Sequence, residues 1–152
     1  MNNYSIINFP ITTGTYQSFI DRIIQLASLN ESADICVANV HMFVEAHKDK
    51  NFLKIIKDAS MVTPDGKPLA WALQLLYGIK QDRVAGMDLL PDLLHKMEEK
   101  HLSVYFYGGS QTMLDNTLAY VQNKYPALKV AGSYSPPFRA ISLQEETDVI
   151  VK

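Results

Sequence analysis

The sequence predicts a single α/β domain with a mainly parallel sheet covered by helices on both faces. Two observations support this prediction. First, the chain has 152 residues, 47% hydrophobic and 20% charged, so it is long and apolar enough for one packed core. Second, short β-rich apolar runs alternate with longer segments of helical periodicity, which is typical of parallel sheets joined by helical crossovers.

The first part of the chain begins this alternation. Residues 4–7 form a short apolar run that we interpret as an edge strand. A helix is expected next, capped by Thr12 or Thr13 and ending near Ser28, because apolar residues then recur at helical spacing. Residues 35–40 follow as a compact β-rich run, the pattern of a strand buried on both faces.

A second strand and helix repeat this order. Residues 41–58 are helical in pattern, with an expected break near Asp49. Residues 61–63 are another short strand, and the Pro64-Asp65-Gly66 sequence after them is a turn signal. The next helix is expected at 69–76, so a polar turn separates this strand from its helix.

The second half of the chain continues in the same way. Its expected elements are, in order, a loop at 83–86, a helix at 88–100, a strand at 102–107, a Gly108-Gly109-Ser110 break that caps a helix to 124, a strand at 128–132 and a last helix from Ser142. The whole pattern predicts a Rossmann-like sheet, in which ligands bind beyond the carboxyl ends of the strands.

Composition excludes several classes of protein. Lys plus Arg number 14 and Asp plus Glu number 16, a net charge of −2 that argues against binding nucleic acid by bulk phosphate neutralisation. The single cysteine, Cys36, excludes an intrachain disulfide and a multi-cysteine metal site. No apolar stretch is long enough to span a bilayer and no signal peptide is present, so the expected compartment is the cytoplasm.

Candidate functional residues follow four of the predicted strands. Because the carboxyl ends of parallel strands share one edge of a sheet, we expect these four loops to form one site. The residues are Asn39 at the end of the strand at 35–40 with His41 after it, Asp65 after the strand at 61–63, Gly108 and Gly109 after the strand at 102–107, and Tyr134 and Arg139 after the strand at 128–132.

Each candidate also has a purely structural explanation. Asp65 is a general base or a ligand for sugar hydroxyls, but an Asx turn is the commoner role of Asp in such a turn. Asn39, expected to be buried at a strand end, is either a satisfied core amide or a sugar ligand. The two glycines form a phosphate-binding loop or only a tight turn.

Charged residues outside these loops also have both a functional and a structural explanation. Arg83 is able to bind a diphosphate through its planar guanidinium, or simply to pair with Asp88 at the surface. The four histidines show no metal-ligand spacing, and no Asp-x-Asp motif occurs. We therefore expect no metal cofactor.

Five motifs in order resemble the WecG/TagA/CpsF glycosyltransferases, glycosyltransferase family 26. They are Val-Ala-Asn-Val-His-Met at 37–42, Val-Thr-Pro-Asp-Gly-Lys-Pro-Leu at 62–69, Arg-Val-Ala-Gly-Met-Asp-Leu-Leu at 83–90, Val-Tyr-Phe-Tyr-Gly-Gly-Ser at 104–110, and the segment 124–139 that ends in Ser-Tyr-Ser-Pro-Pro-Phe-Arg. The resemblance covers nearly the whole chain.

The resemblance implies a bacterial enzyme of cell-wall or surface polysaccharide synthesis, of the teichoic acid type. Such enzymes transfer N-acetylmannosamine from a UDP-sugar to an undecaprenyl-diphosphate-linked sugar, with inversion and without a required metal. The family's candidate base matches Asp65, and its pocket asparagine matches Asn39. Its Arg-x-x-Gly-x-Asp motif matches Arg83, Gly86 and Asp88, and its glycine loop matches Gly108 and Gly109.

Two departures from the family pattern qualify these expectations. Val37 stands where members often have a threonine, so a hydroxyl that could touch the sugar is missing and the sugar identity is open. Family chains also continue further, through an Arg-rich tail that binds the inner face of the cell membrane. We therefore expect a C-terminally truncated portion that self-associates or is marginally stable, with a non-catalytic nucleotide-sugar-binding or assembly module as the alternative function.

Overall fold

A computed structural model describes residues 1–139, 142, 144, 145 and 147 of the chain. It shows a mixed α/β fold with two compact units, Met1–Leu93 and Leu94–Lys152. Each unit is described by itself below. The organisation of the chain as one domain stays a prediction.

The first unit opens with an antiparallel hairpin of β1 (Asn2–Ile6) and β2 (Phe9–Thr13). Ile7 and Asn8 form its two-residue turn, with φ of 46° and 64°, as tight hairpins require at both central positions. The sequence pattern predicted only the first strand. The second was missed because Pro10 is unfavourable in most strands, and an edge position tolerates it.

The first helix starts later than the sequence suggested. In α1 (Tyr16–Ser28), the cap is Thr15, whose Oγ1 accepts a hydrogen bond from the Ser18 N–H at 3.2 Å. Neither threonine expected as the cap fills this role, because both are buried in β2. The Thr12 hydroxyl instead accepts the N–H of Val62 at 3.0 Å.

The centre of the first unit is a parallel strand pair, β3 (Ile35–Ala38) with β4 (Met61–Pro64). Two helices, α2 (Val40–Lys48) and α3 (Lys50–Asp58), connect the strands. The predicted break at Asp49 is confirmed. Its carboxylate accepts two N–H groups from the first turn of α3, at 2.8 and 3.2 Å, which starts a new helix there.

Two more helices follow, α4 (Lys67–Tyr77) and α5 (Gly86–Glu99), the second of which contributes residues to both units. The hairpin strand β2 lies beside β4. This packing builds an apolar core between the strands and the helices, and its buried side chains include Phe9, Ile11, Ala38, Ile56, Val62 and Leu73.

The second unit contains another parallel pair, β5 (Ser103–Tyr107) and β6 (Lys129–Tyr134), joined by α6 (Gln111–Lys124). Gly132 lies opposite Tyr105, and a Cβ at this glycine would come within 2.7 Å of the tyrosine ring. A residue larger than glycine there would require the Tyr105 ring to shift. The core cluster of this unit includes the buried side chains of Leu94, Val121, Tyr125 and Leu128.

The helix expected from Ser142 is described only in part. Gln144, Glu145 and Thr147 are helical. Ser142 and Glu145 form a capping box, in which each side chain accepts the other residue's N–H, at 3.3 and 2.8 Å. The rest of the expected helix lies outside the described residues.

The strands form three two-stranded sheets rather than one. From α1 onward, the order of strands and helices agrees with the sequence, and the pairs β3–β4 and β5–β6 are parallel as expected, whereas the hairpin of β1 and β2 is antiparallel. A single Rossmann-like sheet is not shown by the described part of the chain, in which each unit has its own parallel pair. Within that part, no helix combines the length and apolarity needed to cross a bilayer.

Candidate functional site

Asp65 lies at the carboxyl end of β4, as the sequence predicts. Its N–H donates to the carbonyl of Ala38 at the end of β3, at 2.7 Å, and to that of Thr63 at 3.1 Å. Gly66 follows with φ of 117°, a conformation that costs glycine least, and α4 then begins. This turn holds Asp65 half-buried beside the ends of both strands.

The Asp65 carboxylate forms no hydrogen bond or ion pair with any residue that the structure describes. The Asx turn, the structural alternative for this residue, is therefore not formed. A half-buried carboxylate at a strand end with open acceptor positions is able to take a proton or bind a sugar hydroxyl.

Asn39 is exposed, which corrects the expectation of a buried amide. The apolar strand ends at Ala38, one residue earlier than a buried Asn39 requires, and Asn39 becomes the cap of α2. Its Oδ1 accepts the N–H of Met42 at 3.0 Å. Because the cap uses only the Oδ1 of Asn39, the Nδ2 donor takes no part in it. His41 is exposed in the first turn of the same helix.

Arg83 and Asp88 form an ion pair with Nη2 and Oδ2 2.7 Å apart, and both side chains are about half exposed. The structural alternative for Arg83 is thus observed. Such surface pairs contribute only about 0–1 kcal/mol, so an anionic ligand is able to exchange with Asp88.

The segment 83–88 lies against β3 and the end of β4. Buried Val84 donates its N–H to the Pro64 carbonyl at 2.9 Å. Gly86 lies close to β3, since a Cβ there would be 3.6 Å from Cγ1 of Val37. The first unit therefore gathers Asn39, Asp65 and the 83–88 segment around the ends of β3 and β4.

The glycine loop of the second unit joins the ends of β5 and β6. Gly108 and Gly109 have φ of 107° and 72°. The Gly108 N–H donates to the Tyr134 carbonyl at 2.9 Å, and the Gly109 carbonyl accepts the Ser135 hydroxyl at 2.7 Å. The Gly108 N–H is thus used within the fold, and the amides that follow it are the ones left for an anion.

The start of α6 supplies those amides. Ser110 caps this helix of 14 residues, with its Oγ accepting the Met113 N–H at 3.3 Å. A Cβ at Gly108 would meet nothing within 4 Å, so the requirement for glycine there comes from its backbone angle rather than from crowding.

Tyr134 is the last residue of β6, since the strand runs two residues further than the sequence predicted, and Arg139 lies in the segment after it. The structure gives Arg139 a partner that the sequence did not predict. The Arg139 guanidinium binds both carboxylate oxygens of Glu145, at 2.6 and 3.1 Å. This pairing, helped by the Ser142 N–H, lowers the pKa of Glu145 to about 2. The Tyr134 ring packs 6.0 Å from that of Tyr107. The spacing of Arg139 and Glu145 around Ser142 is a signal that could have revealed the pair.

The predicted site residues therefore fall into two groups, one in each unit. Their assembly at one shared rim stays a prediction. The first group is Asn39, His41, Asp65, Arg83 and Asp88, and the second is Gly108, Gly109, Tyr134 and Arg139.

The sequence reading also missed Trp71, which lies on α4 with its side chain 66% exposed. It lines a groove of about 420 Å³ together with Lys67, Lys80 and Arg83. The signal was available in the sequence as the spacing of Lys67, Trp71 and Leu75, which places all three on one helical face.

Comparisons with known proteins match the sequence of this chain to one group. A family model described as "Glycosyl transferase WecG/TagA/CpsF family" matches residues 4–152. A protein of Bacillus spizizenii, named N-acetylglucosaminyldiphosphoundecaprenol N-acetyl-beta-D-mannosaminyltransferase, is 30% identical over 103 residues, which is 68% of this chain and 40% of that protein. A Bacillus subtilis protein of the same name is 25% identical over 133 residues, 87% of this chain and 52% of that protein. The chain thus spans about half the length of these relatives, or less.

Proposed function

The chain belongs to the WecG/TagA/CpsF family of glycosyltransferases, and on this premise we propose that it carries the catalytic base of an inverting sugar transfer. The donor is a UDP-linked N-acetylhexosamine, with N-acetylmannosamine the expected sugar. The acceptor is a sugar linked to undecaprenyl diphosphate, the class that the relatives' names describe. The product is a precursor of cell-wall polysaccharide of the teichoic acid type, made at the inner face of the cell membrane.

The observation that carries this proposal is the position of Asp65. Its backbone is anchored to Ala38 while its carboxylate has no partner among the described residues. In the proposed step, Asp65 takes the proton of the acceptor hydroxyl as that oxygen attacks the anomeric carbon. The bond from that carbon to the UDP oxygen breaks on the opposite face, its electron pair leaves with UDP, and the configuration inverts.

The remaining candidates have supporting roles in this step. Asn39 offers its Nδ2 donor to the sugar while its oxygen caps α2. Arg83 exchanges Asp88 for the diphosphate and offsets the negative charge that develops on departing UDP. His41, Asp88 and Tyr134 are proposed substrate contacts. The amides after Gly108 and Gly109, with Arg139, are proposed contacts of a diphosphate. No metal cofactor is assigned to the reaction.

A second candidate function is a non-catalytic module that binds a nucleotide-sugar or helps to assemble the enzyme. The observation that favours it is Val37, an apolar side chain on β3 where the family often carries a hydroxyl. The open carboxylate of Asp65 favours catalysis instead.

The two functions are separated by calorimetry with UDP followed by a donor-turnover assay. Transfer from a UDP-N-acetylhexosamine to a lipid-diphosphate sugar acceptor, lost when Asp65 is replaced by Asn, supports the enzyme. Binding of UDP without donor hydrolysis or transfer supports the module. If UDP does not bind and no turnover occurs, both proposals are wrong.

A further inference from the structure

One groove of the first unit shares only Arg83 with the residues assigned to the sugar transfer above. It runs between α4 and the segment 80–83 and has a volume of about 420 Å³. Its walls carry the exposed indole of Trp71 and three cations, Lys67, Lys80 and Arg83, against one anion, Asp82. Three cations beside an exposed indole form a surface for an anion with an apolar part.

The apolar wall of the groove continues along α4. Trp71 and Leu75 are four residues apart and lie on the same helical face, with exposures of 66% and 85%. Lys67 lies one turn before Trp71, at the first position of the helix. The face therefore has a cationic end near the start of α4 and an apolar end further along it.

The cationic end lies next to the proposed catalytic base. Helix α4 begins two residues after Asp65, and Val84, next to Arg83, donates its N–H to the Pro64 carbonyl at 2.9 Å. Helix α4 and the segment 80–83, which form the two walls of the groove, therefore both lie next to the end of β4. A diphosphate held there would bring an attached sugar near Asp65.

We propose that this groove binds the polyprenyl diphosphate part of the acceptor, an inference that rests on the proposed function. Lys67 and Lys80 pair with the diphosphate of the lipid, while Trp71 and Leu75 contact the first isoprenoid units. The charge of the groove complements a diphosphate, and its apolar stripe complements a branched hydrocarbon.

The polar side chains of the groove favour a lipid over a nucleoside. Gln81 is fully engaged with Gly14, because its Oε1 accepts the Gly14 N–H at 3.0 Å and its Nε2 donates to the Gly14 carbonyl at 2.9 Å. Of the two glutamines that line the groove, this leaves Gln74 to form hydrogen bonds with a nucleobase. The apolar stripe, in contrast, extends past the groove to Leu75.

Trp71 is the only tryptophan in the chain, so its fluorescence reports directly on the groove. Farnesyl diphosphate serves as a water-soluble probe. We expect a saturable blue shift of Trp71 emission, because the indole loses water when the isoprenoid covers it. Farnesol and inorganic diphosphate should each bind at least about tenfold more weakly, since each lacks half of the recognised chemistry.

Matched variants test the two halves of the groove. Lys67→Gln with Lys80→Gln should weaken farnesyl diphosphate binding about tenfold or more, whereas the exposed pair Lys54→Gln with Lys57→Gln on α3 should leave it within twofold. Trp71→Ala, followed by calorimetry, should weaken binding by a similar factor. Ile55→Ala, with a side chain 64% exposed on α3, is its control.

Several outcomes would overturn the proposal. The proposal is wrong if the Trp71 emission does not shift or the shift does not saturate, or if the control variants lose as much affinity for farnesyl diphosphate as the groove variants. It is also wrong if UDP displaces farnesyl diphosphate, or if phosphatidylglycerol vesicles without prenyl diphosphate shift the emission equally. Displacement by UDP would make the groove the donor site, and the vesicle result would make it a general membrane contact. The farnesyl diphosphate probe carries no sugar and needs no turnover. If it does not bind while sugar transfer is observed, only the proposal for the groove is wrong. Loss of transfer activity beside intact probe binding rejects the proposed function instead.

Discussion

The backbone N–H of Asp65 donates a 2.7 Å hydrogen bond to the carbonyl of Ala38, which ties the ends of two parallel strands together. Asn39 caps the next helix directly after Ala38. The bond therefore places the proposed base and the proposed sugar ligand beside each other, although 26 positions separate them along the chain.

Replacing Asp65 by Asn should leave the fold intact and lower the transfer rate by roughly 10²–10⁴-fold, the usual effect of removing a general base. The carboxylate makes no bond to the described residues, so little stability is lost with it. The measurement is the transfer rate with saturating donor and acceptor, beside a thermal melt. Asp58→Asn, at the exposed end of α3, is the matched control. Near-normal turnover in the Asp65 variant would reject the role of base.

Variants of Asn39 should separate its cap from its sugar contact. Asn39→Ala removes the acceptor for the Met42 N–H and should cost about 0.5–2 kcal/mol of unfolding free energy. Asn39→Asp keeps an oxygen acceptor and should preserve stability, but it removes the Nδ2 donor and should weaken binding of the UDP-sugar. Urea denaturation and calorimetry measure the two effects. An Asp variant that binds the donor like the wild type would show that the amide has only the capping role.

The backbone conformation requires glycine at position 66, whereas position 86 has no such requirement. Gly66 has φ of 117°, so Gly66→Ala should destabilise the chain by about 1–3 kcal/mol and disturb the Asp65 turn. Gly86 starts a helix, and a Cβ there would be at an ordinary 3.6 Å from Val37. Gly86→Ala should therefore be neutral or slightly stabilising in urea denaturation. Equal losses in both variants would contradict this explanation.

The ion pair of Arg139 with Glu145 should be visible in a pH titration. The guanidinium, with the Ser142 N–H, lowers the pKa of Glu145 from 4.5 to about 2. A depressed folded-state pKa favours the folded state above pH 4.5, and that contribution is lost as the pH falls from 4.5 towards 2. Carboxyl carbon chemical shifts report the titration. Arg139→Gln should move the Glu145 midpoint up towards 4.5, and an unmoved midpoint would assign the shift to Ser142.

Local features of the chain were predictable because a few neighbouring residues determine them. Asp49 breaks the α2–α3 stretch and Ser110 caps α6, each through hydrogen bonds to amides two or three residues away. Asp65 at a strand end and the Gly108-Gly109 turn were predicted for the same reason. The prediction that Asn39 is buried was wrong, because the end of a strand can shift by one residue without any change in the local apolar pattern.

The sequence by itself determined the α/β class, the family and the alternation of strands and helices after residue 15, and it supplied the candidate site residues, whose roles stay predictions. Only the tertiary structure decided which strands pair, since a short strand presents the same backbone donors and acceptors to any neighbour. It also decided that the Asp65 carboxylate has no partner in the described chain, that Arg139 pairs with Glu145, and that Trp71 faces a groove with Lys67. Spacing along the chain makes some of these contacts possible, but only the folded chain decides which donors, acceptors and surfaces meet.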